Sequence, residues 1–150
     1  MAGAADLTVN SDTPLIPGAY GNVVVTQQAI LTLAPGAYSI NSLTLGGGSK
    51  VTTSGAPVVL KVAGSNTDKP LDLSGGSIVD SAGNPASLII IYGGAKELDL
   101  TGQADSYGLV YAPAAAVKLT GNADWFGALV VGTLTDAGNS KIHYDRNVAQ

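Results

Sequence analysis

The stretch best equipped for chemistry is SKIHYDRN, residues 140–147, which holds the chain's single histidine, His143, beside Tyr144, Asp145 and Arg146. An imidazole next to a carboxylate is the orienting half of a nucleophilic triad. It becomes a catalyst only with a nucleophile within hydrogen-bond reach. Read with the period of a strand, Ile142 and Tyr144 face one way and Lys141, His143 and Asp145 the other. Ser140, the nearest serine, falls one position out of step. The spacing therefore predicts a terminal strand with Ile142 and Tyr144 in the core. Its charged outer face, Lys141, His143 and Asp145, would end the structure and resist further strand addition.

Other residue sets carry weaker chemistry. Asp105 in GQAD and Asp124 in GNAD lie 19 residues apart, and their carboxylates would repel unless hydrated or bridged by calcium. One pair does not make a six-ligand site, and the calcium-binding nonapeptide pattern is missing, so no metal or other cofactor is expected. Trp125 and Phe126, with Tyr107 and Tyr111, are the residues from which a sugar-stacking platform could be built, although aromatics beside a corner more often pack. The GGG of LTLGGGS lacks the Lys-Ser/Thr and helix of a phosphate loop. Acidic residues are scattered and Arg146 is the only arginine, which speaks against a polysaccharide lyase or hydrolase.

Those residues need a scaffold, and composition says which kind. The 150 residues hold 20 glycines, 45% hydrophobic and 12% charged residues. Average domains carry about a quarter charged residues, and long exposed helices need them. The chain is long enough to bury a core without staples, and with no cysteine it has none. A net charge of −4 supplies no basic stripe for nucleic acid or an anionic membrane surface. The longest apolar run, SLIIIY, is too short to span a bilayer, and MAGAADL has neither the basic nor the apolar part of a secretory signal.

Repetition is the strongest signal. IPGAY at 16–20 returns as APGAY at 34–38. LTLGGGS, LDLSGGS, LDLTGQA and VKLTGNA begin at Leu43, Leu71, Leu98 and Val117. VVLKV, LIIIY, LVYA and LVVG begin at Val58, Leu88, Leu109 and Leu129. The series interleave in constant order: corner, apolar strand, connection, L-x-L strand, glycine turn. Units this short leave no room for a crossover helix. The order predicts an all-β fold, a parallel β-solenoid of about six coils, over an antiparallel sandwich, whose hairpins would not repeat one order of strand types. Leu43, Leu45, Leu71, Leu73, Leu98, Leu100, Val117 and Leu119 should stack inward, with Thr44, Asp72, Asp99 and Lys118 as a polar outer row. That row is not the threonine array of an ice-binding solenoid. The other strands are apolar on both faces, so Val59, Ile89, Ile91, Val110 and Val130 are expected to form an outward apolar face, partly covered by the N-terminal TVNSD or NVVV or else by a partner.

The corner LAPGAY (33–38), the stretch YAPAA (111–115), the turn LTGN (119–122), the strand GALVVG (127–132) and the closing segment from Gly138 to Asp145 together carry a resemblance that covers nearly the whole chain. The sequence resembles the right-handed β-helix domain at the C-terminal end of bacterial pilus-associated and adhesin-like surface proteins. The resemblance implies surface display and contact, usually behind an N-terminal anchor or signal, and transfers no catalytic residue.

The expectation is one domain over 1–150: an arm or cap at 1–16, coils over 17–145 and a tail at 146–150. It is expected to act without catalysis, outside the cell at a bacterial surface, in adhesion or in pilus or surface assembly. Its partner would be another protein or a second copy, with surface carbohydrate as a further partner class. The alternative is a self-assembling structural protein that stacks through its ends or its apolar face. Carbohydrate-active and ice-binding roles rank below both.

Overall fold

A computed structural model describes residues 6–53, 57–64, 67–79, 88–101, 106–121, 124–139 and 141–144. Every strand pairing among them is parallel. The first turn is β1 (Leu7–Val9) and β2 (Thr13–Leu15). The second holds β3 (Asn22–Val25), β4 (Ile30–Leu33) and β5 (Gly36–Ile40), and the third β6 (Ser42–Leu45), β7 (Ser49–Thr53) and β8 (Val58–Val62). The fourth holds β9 (Leu71–Asp72), β10 (Gly76–Val79) and β11 (Leu88–Tyr92). Then come β12 (Leu98–Asp99) and two long strands that bend around a corner, β13 (Ser106–Gly121) and β14 (Trp125–Gly138), and last β15 (Ile142–Tyr144). This is a β-solenoid of about six coils, with no helix among the described residues.

The coils have three sides. The first side stacks β1, β3, β6, β9, β12 and the second halves of β13 and β14. The second stacks β2, β4, β7 and β10. The third stacks β5, β8, β11, the first halves of β13 and β14, and β15. Register on the first side runs Leu7, Val23, Leu43, Leu71, Leu98, Val117, Leu134, one residue per turn. The longest steps in that column, Leu43 to Leu71 and Leu71 to Leu98, contain the insertions SNTDKP and DSAGN.

Alternation does the folding. In β11 and β8 every second side chain is buried, and all eight residues expected inward on the first side are core. With strands about 4.8 Å apart, each inward side chain packs on the one above and the one below, so one hydrocarbon core runs the length of the stack. Two features let the corners turn. Gly47 and Gly48 sit at φ of 63° and 79°, and the equivalent turn one coil earlier imposes 57° and 61° on Gln27 and Gln28, which have side chains to accommodate. Gly76 is required for closeness instead: a Cβ there would lie 2.3 Å from the Ser49 carbonyl oxygen. Of the polar groups inside, Thr53 Oγ1 has no partner among the described residues, while two serines are paired. Ser49 Oγ donates to the Val25 carbonyl, and Ser106 Oγ accepts from the Ile78 amide.

Within the segment 1–16, expected as an arm or cap, Leu7–Val9 and Thr13–Leu15 are strands in register with the coils. The N-terminal cover for the apolar face is therefore corrected: β1 and the NVVV strand β3 extend the first side and lie away from the third.

Candidate functional site

In the last described strand His143 lies against Asp124. His143 Nε2 lies 2.8 Å from Asp124 Oδ2, while Asp124 Oδ1 accepts the Lys141 amide at 2.9 Å. The His143 ring stacks on Phe126 with centroids 4.4 Å apart, and Phe126 on Tyr107 at 5.0 Å. These contacts follow from register, since Phe126 pairs with Tyr107 on one side and with His143 on the other. The His143 hydrogen bond is the main reason the Asp124 carboxyl is held below its ordinary range; the Lys141 amide acts the same way, and partial burial opposes both. Together they fasten β15 to the coil before it. Ile142 packs against the core from this strand, as expected, and Lys141 is exposed.

Asp145, expected beside His143, lies outside the described residues, as do Ser140 and Asp105. Asp124 has one oxygen on the Lys141 amide and the other on the imidazole. Among the described residues, no three His, Cys, Asp or Glu side chains converge as a metal site.

The aromatic platform is not assembled. Trp125 is fully buried, its indole N–H donating to the Gly108 carbonyl at 3.1 Å. Tyr107 and Phe126 do face outward, but they stack on each other and on His143, so their ring faces are mostly covered and a sugar would meet edges. Tyr111 alone among the four stands well exposed, at 52%.

The outward surface of the third side is an apolar ladder. One row runs Ala37, Val59, Ile89, Leu109, Ala128; the next runs Ser39, Lys61, Ile91, Tyr111, Val130. Val59, Ile89, Ile91 and Leu109 are half-buried, and Val130 is 49% exposed. Val110 is not part of it: at 2% exposure it belongs to the core, and Leu109 and Tyr111 hold the outward places. The reason lies one residue back. Gly108 takes the inward slot that Leu88 fills one turn earlier, and the Trp125 ring comes within 3.5 Å of the Cβ position the glycine leaves empty. A slip of one residue in a strand exchanges its faces.

The outward surface of the first side is polar, as expected, with Thr44, Asp72, Asp99 and Lys118 in register. Asp99 departs from the others, being only 4% exposed. Its Oδ1 accepts the Thr101 amide at 3.0 Å, and Lys69 Nζ stands 3.5 Å from Oδ2.

The family model described as a domain of unknown function, DUF7305, matches residues 5–150. The chain belongs to that family. No curated protein and no solved structure matches it.

Proposed function

We propose that this DUF7305 domain is a non-catalytic contact module of a bacterial surface structure, exported from the cell and acting in adhesion or in pilus or surface assembly. The observation that carries the reading is the outward face of the third side. Val59, Ile89, Ile91, Leu109, Tyr111 and Val130 stand in two adjacent rows on a flat sheet, with Lys61 the only charge in those rows. A contiguous apolar patch of several hundred Å2 is uncommon on a soluble monomer and usually marks an interaction site. A solenoid suits the task, since its neighbour-only packing builds a long flat surface from a short repeat. The resemblance of the corner LAPGAY and the stretch YAPAA to pilus-associated and adhesin-like β-helix domains is the second ground for the reading.

The partner is a protein surface that lies flat on the sheet. The test is a double substitution, Ile91→Lys with Tyr111→Lys, at two neighbouring outward positions of one row. Association seen by sedimentation, and attachment to cells or filaments, should fall at least tenfold while the circular dichroism of the sheet is kept. Unchanged association with the fold intact would sink the reading.

A second reading, a self-assembling subunit that stacks end to end, draws on a different observation. Among the described residues, the Thr133–Gly138 part of β14 pairs with β13 alone and leaves its other edge open.

A further inference from the structure

The two outward rows of the third side match themselves when one is reversed. The first, Ala37, Val59, Ile89, Leu109, Ala128, reads small, large, large, large, small, the same in either direction about Ile89. The second carries its one charge, Lys61, one strand before Ile91 and its one aromatic, Tyr111, one strand after. Lys61 and Tyr111 are both exposed.

A two-fold axis along β11, lying between two such faces, sets β11 on β11, β8 on the first half of β13, and β5 on that of β14. Across it Ile89 meets Ile89, Ile91 meets Ile91, Val59 meets Leu109 and Ala37 meets Ala128. Lys61 meets the ring of Tyr111, and symmetry makes that pair twice. Sheets pack about 10 Å apart, a gap that a lysine stem and a phenol ring fill together. An ammonium over an aromatic face is attracted by it, the more so out of water. The two lysines stand two strands apart, about 10 Å, where salt screens their repulsion. Other placements lose the match. An axis along the stack lays Lys61 on Val59, which buries a charge on hydrocarbon. An axis along β8 sets Lys61 on Lys61.

We infer that the third side recognises itself: its occupant is a second copy of this chain, packed sheet to sheet about a two-fold axis along β11. The inference rests on the reading of this face as a contact surface and names the partner. Two rows of five residues are fewer than the roughly 20–30 a side of a standard interface, so the pair exchanges with monomer. An isologous contact closes at two copies.

The experiment is analytical ultracentrifugation of the full chain over a concentration series. Mean mass should rise from one chain to two and stop there. Lys61→Glu and Tyr111→Lys should each weaken the dimer about tenfold or more, with circular dichroism unchanged. Combined, they should restore it, because a carboxylate then faces an ammonium across the axis. The chain has no cysteine, so introduced ones report distance cleanly. Ile91→Cys, on the axis, should be joined to its own mate by a bismaleimide about 10 Å long. Ala37→Cys, about 19 Å from its mate, should be joined only when mixed with Ala128→Cys. A dimer indifferent to Lys61→Glu, a double variant no tighter than the singles, or cross-linking through Ala37→Cys alone overturns the inference. So does a mass that stays at one chain. Attachment that still falls with Ile91→Lys and Tyr111→Lys would then keep the contact face and assign it to a different protein, whereas unchanged attachment would sink both.

Discussion

The first and third sides of the solenoid follow one inward rule and differ in what they turn to water. Inside, both are stacked apolar columns, Leu and Val on the first side and Leu, Val, Ile, Tyr and Ala on the third. Outside, the first side runs Thr44, Asp72, Asp99, Lys118 and the third Val59, Ile89, Leu109, Ala128. Stacking makes each outward residue a close neighbour of its equivalents, and the two sides solve that differently. Adjacent carboxylates at 72 and 99 would repel, and the first side answers with Lys118 in the row and with Lys69, which reaches both Asp99 and Glu97. The third side needs no such answer, because like apolar side chains attract. With Lys61 the only charge in its two outward rows, the third side turns apolar groups to water where the first side turns ionic ones.

The largest expected effect tests the inward rule the two sides share. Leu100→Ala should cost about 2–5 kcal/mol in denaturant titration, as large-to-small core changes do, whereas Leu109→Ala on the outward ladder should cost under about 1 kcal/mol. Equal losses would mean that the ladder is a second core. A smaller effect separates the two aspartates of the polar side. Asp99→Ala strips the Thr101 amide of its acceptor inside a crowded row and should cost about 1–3 kcal/mol. Asp72 bonds Ser74 at an exposed turn, so Asp72→Ala should stay within about 1 kcal/mol. Comparable losses would show that burial of Asp99 carries no energetic weight.

The smallest effect is local and depends on acid. The folded Asp124 carboxyl sits below its ordinary 3.8, chiefly through His143. A group depressed on folding contributes fully above its unfolded value and is lost as pH falls through the folded one. Below about pH 3.8, progressively, the Lys141 amide should lose hydrogen-exchange protection while the Leu45 and Leu71 amides keep theirs. Asp124→Asn should flatten that pH dependence. Protection at Lys141 that stays constant down the acid range would show that the pair does not fasten the last strand.

How far the sequence could be read follows from the same register. Two apolar residues around one outward residue, closed by glycine, mark the later turns of the first side so plainly that the eight residues expected inward there are all core, while Val9, Val23 and Val25, in segments read as arm or cover, join the same columns. On the third side Ser39 and Lys61 mark outward positions in the early turns, but no charged residue does so from Leu88 to Val131, so parity there rests on matching run to run. A glycine in the Leu88 slot broke that match and moved Val110 inward. Burial of Asp99 was invisible because Lys69 reaches it from a different part of the chain. The Asp124–His143 bond could have been found: the two are 19 residues apart, the length of the turn from Leu98 to Val117.

Trp125 is the chain's only tryptophan, and its indole is sealed between the last described turns of the third side, with its N–H on the Gly108 carbonyl. Its emission is therefore an optical probe planted at one end of a one-dimensional stack. In such stacks terminal units open more readily than central ones. Fluorescence and far-ultraviolet dichroism then watch different parts of the same molecule. The gap between their midpoints measures how far the C-terminal turns fray before the middle melts.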